Sequence, residues 1–131
     1  MTAVRISYLS IFTRNVEALP NFYVEVFALD EVPTSRSERY RELKVADRML
    51  GFLWIDAYAN LNMTDLADPT GVRSMITFAA QGMSAVDTLA TKALQRRARL
   101  IKPPFQTDFL QYLAVLLDRE DNAIQIAAPV V

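Results

Sequence analysis

The alternation of apolar and polar positions divides the chain into two similar passes. Over Val4 to Phe12, the residues Val4, Ile6, Tyr8, Ser10 and Phe12 fall on one face of an extended segment, and Ser7, Leu9 and Ile11 fall on the other. Both faces are mostly apolar, which predicts a strand covered on both sides. Asn15 stands where a helix N-cap is expected, and Glu17 lies in the first turn, where a carboxylate suits the positive end of the helix. Phe22, Val26 and Leu29 then follow at helical spacing. Pro20 admits two readings: an interior residue of a helix counted from Asn15, or the first residue of a helix over Pro20 to Ala28 that follows a separate turn over Asn15 to Leu19. The second sacrifices no interior backbone bond and is preferred.

Asp30 to Pro33 reads as a short strand, Ser35 to Ser37 as a polar turn, Tyr40 to Val45 as an alternating strand and Met49 to Asp56 as a dense apolar one. The stretch Ala57 to Gly71 carries Asn60, Asn62, Asp65, Asp68, Pro69 and Gly71, the turn formers of a long connection. The pattern then restarts. Val72 to Ala80 predicts a strand, and Ser84 with Asp87 approximates a capping box for a helix over Ala85 to Arg97. Arg99 to Ile101 predicts a short strand ended by Pro103-Pro104, and Phe109 to Leu117 pairs with Ala123 to Ala128 in a hairpin across Asp118 to Asn122. Strand, helix, strand, strand, strand thus occurs twice. We expect an α+β fold in a single domain over residues 1–131, with two βαβββ modules at about 1–57 and 71–131. Together they would form an open curved sheet around a cleft, with the helices outside. A single α+β sandwich of the ferredoxin type with an extra hairpin is the alternative.

Composition narrows the chemistry. The 131 residues are 52% hydrophobic and 22% charged with a net charge of -1, the balance of a globular domain. The one basic cluster, Arg96, Arg97, Arg99 and Lys102, lies at an expected helix end, where cations suit the dipole, so no nucleic-acid partner is implied. No apolar run approaches the length of a membrane span and none resembles a signal peptide, which makes a cytoplasmic location the default. The sequence has no cysteine and no histidine. Ser-His-Asp and Cys-His arrangements are therefore excluded, and so are imidazole and thiolate metal sites.

Several segments together resemble a known family. Asn15-Val16-Glu17 followed by Phe22-Tyr23, the exit Leu29-Asp30-Glu31-Val32, and Asp118-x-x-Asp121-Asn122-x-Ile124-Gln125-Ile126 are similar to the glyoxalase/bleomycin resistance/extradiol dioxygenase proteins, the vicinal oxygen chelate superfamily. The resemblance covers nearly the whole chain and implies paired βαβββ modules, commonly assembled as a homodimer. It also implies where metal-dependent relatives place their ligands: Tyr8 on the first strand, Met75 on the fifth and Gln125 on the last, with a further position among Phe52 to Trp54. A phenol, a thioether and a neutral amide bring no charge to compensate a divalent cation. Hence no metal and no cofactor is expected. The family's glycines are replaced by Ala28 after the first helix and by Asp121 in the last hairpin, which points to a distant branch.

The candidate ligand-binding residues are Tyr8, Ser10, Trp54, Met75 and Gln125. Tyr8, Ser10 and Phe12 share one strand face; Ala123, Gln125 and Ala127 share another, where two small residues flank an amide that can orient a ligand. Arg73, Met75 and Thr77 would line the fifth strand, whereas Phe52 and Trp54 add flat apolar surface if their parity is inward. Each has a plainer role as well: Trp54 as core, Met75 as gap filler, and Gln125 paired with Tyr8. Tyr58, Phe105, Phe109 and Tyr112 suit either closure over a ligand or a dimer interface. Tyr8 and Asp56 are the candidate catalytic groups, with Asp56 as a general base. The sequence supports a metal-free binder of a hydrophobic or aromatic small molecule, and alternatively a metal-independent lyase or isomerase.

Overall fold

The computed structural model describes residues 4–68 and 70–130. The chain divides into two compact units, Met1–Pro69 and Thr70–Val131. In the first, β1 (Tyr8–Thr13), α1 (Ala18–Phe27), β2 (Asp30–Glu31), β3 (Tyr40–Val45) and β4 (Arg48–Trp54) follow in order. The connection then carries the single turn α2 (Ala57–Asn60) and a 3-10 turn at Thr64–Leu66. The second unit has β5 (Met75–Ala79), α3 (Met83–Leu94), β6 (Arg99–Gln106), β7 (Gln111–Leu117) and β8 (Ala123–Pro129). Each unit folds its strands into one four-stranded sheet, β1-β4-β3-β2 and β5-β8-β7-β6, with a parallel first pair and antiparallel remainder. The fold is α+β, and each module is βαβββ.

The start of α1 resolves the Pro20 ambiguity differently from expectation. Asn15 Oδ1 accepts the N–H groups of Glu17 (3.1 Å) and Ala18 (2.8 Å), and the Leu19 N–H donates to the Asn15 carbonyl at 3.2 Å. Asn15 is thus the working cap, and the helix begins before Pro20. Proline has no N–H to give to the Val16 carbonyl. Arg41 on β3 reaches that end of the helix instead, with Nη1 3.4 Å from the Val16 oxygen and 3.2 Å from that of Glu17. Its Nη2 donates to Glu31 Oε1, so a nearly buried guanidinium ties helix, β3 and β2 together. At the other end Ala28 holds φ 53 and ψ 46, the left-handed geometry in which a glycine carries no Cβ penalty.

The helix face Leu19, Phe22, Tyr23 and Val26 packs on the sheet face formed by Ile11, Leu43, Leu50 and Phe52, all of them buried. The rings of Tyr23 and Phe52 lie 5.5 Å apart. Phe52 therefore faces the helix. In the second unit Val86, Ala90 and Ala93 of α3 are buried together with Ala114, Leu116, Ile124 and Ile126 of the sheet.

Four expectations are corrected. The first strand begins at Tyr8 rather than Val4, and Val4 and Ile6 are 79% and 75% exposed, so that segment is not covered on both faces. Ser84 and Asp87 do not form a capping box: α3 starts at Met83, with the Val86 N–H donating to the Gly82 carbonyl, and Asp87 accepts from Tyr112 Oη at 2.6 Å. The proline pair does not end β6, because β6 is an edge strand that needs no N–H on its outer side, and its register shifts at Leu100/Lys102 and Lys102/Phe105 absorb the irregularity. Finally, α3 stops at Leu94, three residues before Arg97, which itself takes φ 75.

Candidate functional site

Strand register determines which side chains of each sheet share the face away from the helix. On the first sheet, Tyr8 pairs with Met49, Ser10 with Gly51 and Phe12 with Leu53, while Glu42 pairs with Gly51 and Tyr40 with Leu53. Ser10, Gly51 and Glu42 thus form one row across three strands, with Tyr8, Phe12, Tyr40 and Lys44 on the same face. Gly51 lets the Tyr40 ring lie over the row. A Cβ built there would lie 2.6 Å from the Tyr40 hydroxyl, so the missing side chain is the space that the phenol occupies.

That phenol is fixed. Tyr40 Oη donates to Glu42 Oε2 at 2.6 Å, and Ser35 Oγ donates to Glu42 Oε1 at 3.3 Å. Burial foremost, then the hydrogen bond to Glu42, the charge of Glu42 and the neighbouring Tyr8 push the Tyr40 phenol well above its usual range. It stays protonated and donating at any physiological pH. Tyr8 itself is 55% exposed. At the far end of the face the ring of Tyr58, carried by α2, stacks on Phe12 with centroids 4.0 Å apart. Of the aromatics expected to close over a ligand or to form an interface, Tyr58 therefore lies over this face.

Trp54 does not join Tyr8 and Ser10. It shares parity with the helix-facing Phe52 and pairs with the buried Thr13, so it lies on the opposite side of the sheet, with the Arg39 guanidinium 6.0 Å from its ring centre. The fourth strand is apolar on both faces, and only the register decided its parity. Asp56 is likewise removed from Tyr8. Its Oδ2 pairs with Arg39 Nε at 3.1 Å. It also lies beyond the Thr13 end of β1, five residues from Tyr8, or about 17 Å at ~3.4 Å per residue. A base at Asp56 and a phenol at Tyr8 cannot act on one reacting atom.

On the second sheet Met75 pairs with Ala123 and Thr77 with Gln125, which in turn pairs with Val115. Met75, Thr77 and Gln125 therefore share one face, with Met75 46% exposed and Gln125 half-buried between buried Ala123 and Ala127. This face carries no charged side chain along β5 and β8.

As a donor set for the divalent ion that the superfamily resemblance implies, Tyr8, Met75 and Gln125 do not fit. None is anionic, and among the described residues no three Asp or Glu side chains gather where they could hold a metal ion. Sequence reasoning missed Tyr40, Glu42, Ser35 and Gly51. The signal was present in Tyr40-Arg41-Glu42-Leu43, but its parity was masked because a charged residue, Arg41, occupies the core side.

No protein-family model matches the chain, and no curated protein matches it. Solved structures do. A glyoxalase/bleomycin resistance protein/dioxygenase family enzyme from Burkholderia phytofirmans PsJN is 34% identical over 95% of this chain and 98% of its own, with a TM-score of 0.92. This chain belongs to that family. A glyoxalase-related enzyme from Fulvimarina pelagi shares the fold at 13% identity (TM-score 0.84, 95% of this chain and 87% of its own). Lactoylglutathione lyase from Agrobacterium tumefaciens does so at 16% (TM-score 0.73, 97% and 95%). Within the glyoxalase/bleomycin resistance protein/dioxygenase family, then, this member has two βαβββ modules. Among the described residues no helix is long and apolar enough to cross a membrane.

Proposed function

We propose that this family member is a metal-free small-molecule-binding protein of the bleomycin-resistance type, acting in the cytoplasm and holding a hydrophobic or aromatic compound. The observation that carries this reading is the open face of the first sheet. There Tyr8 offers a half-exposed ring on the same face as Ser10, and the Tyr40 phenol, seated over Gly51, holds Glu42 in place. Aromatic surface with a few fixed polar groups is the chemistry of a site for a flat organic molecule. Met75 and Gln125 on the second sheet are proposed as further ligand contacts.

The test is a native-mass and thermal-shift screen against aromatic natural products, with and without chelator. A hit that survives chelator and weakens on Tyr8→Ala supports the reading; binding that requires added divalent metal overturns it. The alternative is a metal-independent lyase or isomerase, whose candidate base Asp56 is paired with Arg39. We also propose a homodimer, since Val4, Ile6 and Leu9 leave apolar surface exposed near the start of the first sheet. Light scattering that returns a monomer mass at micromolar concentration would remove that part.

A further inference from the structure

The most specific chemistry outside the residues that the family pattern singles out is the Glu42 carboxylate. It stands part-buried on the face that carries Tyr8 and Ser10, and both its oxygens are held: Tyr40 Oη donates to one at 2.6 Å and Ser35 Oγ to the other at 3.3 Å. A carboxylate offers about four lone-pair sites, so after these two bonds roughly one remains on each oxygen. Tyr40, in turn, has its ring fitted over Gly51 and cannot be accommodated there beside a larger residue. Two hydroxyl donors, one on each oxygen, fix the orientation of the carboxylate and make it a positioned acceptor.

We infer that Glu42 is the selectivity group of this face and that it accepts a planar pair of N–H donors on the ligand, as in an amidine, a guanidine or an aminopyrimidine. This deepens the binding function proposed above and rests on it. Two parallel N–H···O bonds to one carboxylate require both donors in the carboxylate plane, and the Tyr40 and Ser35 bonds hold that plane still. The aromatic part of the same ligand would lie against Tyr8. Tyr40 and Gly51 are positioning residues, because they act on the ligand only through the orientation of Glu42.

The experiment uses three probes of one shape, benzamidine, benzamide and benzoate, titrated into the full chain by NMR and calorimetry. Wild type should bind benzamidine roughly tenfold more tightly than benzamide and should bind benzoate most weakly. Glu42→Gln should bring benzamidine and benzamide to within about twofold of each other, and Tyr40→Phe, which keeps the charge and frees its orientation, should weaken benzamidine severalfold without inverting the order. A benzamidine preference that persists in Glu42→Gln overturns the inference. Equal binding of all three probes by wild type also overturns it while leaving the aromatic-binding function standing. No binding of any probe at millimolar concentration overturns both. Chemical-shift dispersion of each variant confirms that a loss of binding is not a loss of fold.

Discussion

The two modules share one strand order and one pairing pattern, yet they are built from different materials. The first packs the rings of Phe22, Tyr23 and Phe52 and also nearly buries Arg41; the second buries Val86, Ala90 and Ala93 of its helix together with Ile124, Ile126 and Leu116. Their open faces differ in the same sense. That of the first carries Tyr8, Tyr40, Glu42 and Ser10 around a glycine, and the β5–β8 part of the second carries Met75, Thr77 and Gln125 among alanines. The lesson is that βαβββ topology depends on periodicity and turns, which both halves satisfy, while the choice of side chains on each face is free to specialise. The first module concentrates polar chemistry, and the second supplies a close-packed, small-residue frame.

The sharpest way to break the contrast is through Arg41. Arg41→Ala leaves Glu31 without its closest partner and strips the Val16 carbonyl of its donor, while the Glu17 carbonyl keeps the Asn21 N–H, so denaturant unfolding should show a loss of about 3 kcal/mol. Pro20→Ala in the Arg41→Ala background should recover part of that loss, because an N–H then reaches Val16. A loss below ~1 kcal/mol in Arg41→Ala would mean that the first module does not depend on its buried charge.

The second module should fail in the opposite way, by enlargement. Ala93 is fully buried between α3 and its sheet, so Ala93→Leu should cost about 2 kcal/mol through overpacking, read from the denaturant midpoint at constant slope. A neutral outcome would show slack in the aliphatic core.

A smaller effect separates the open faces by pH. The Tyr40 phenol is raised above its ordinary value of 10.0, so below that pH the folded and unfolded chains bind the same proton and its contribution is fully present. As pH rises beyond about 10 the unfolded chain releases the proton first, and stability falls until the folded phenol also ionises. Thermal melts from pH 8 to 11 should therefore show a steeper alkaline decline in wild type than in Tyr40→Phe. Parallel curves would detach Tyr40 from Glu42. The smallest change is a gain: Ala28→Gly removes a Cβ from a left-handed position and should stabilise the first module by about 0.5–1 kcal/mol in the same unfolding assay.

The fold was largely legible because periodicity survives without tertiary information. The alternation at Tyr40 to Val45 and the apolar run at Met49 gave β3 and β4 nearly to the residue. The segments resembling the family ended in a chain 34% identical to a solved member. Boundaries failed where a distant partner intervened. Asn15 caps α1 ahead of Pro20 because Arg41, a long way along the chain, serves the carbonyl that the proline cannot. Residues 103 and 104 remain in β6 because the strand lies at an edge.

The candidate site was legible only in part. Tyr8 and Ser10 follow from strand parity and do share a face, as do Met75 and Gln125. Trp54 fell on the other side, and Glu42 and Tyr40 went unnoticed. The sequence by itself determined the two βαβββ passes and the residues available for chemistry, with no imidazole or thiol among them, since these are properties of order and composition. Only the tertiary structure decided which residues meet. Register across β1, β4 and β3 brings Ser10, Gly51 and Glu42 into one row from three distant segments, and a one-residue slip in any strand would have sent its side chains to the other face.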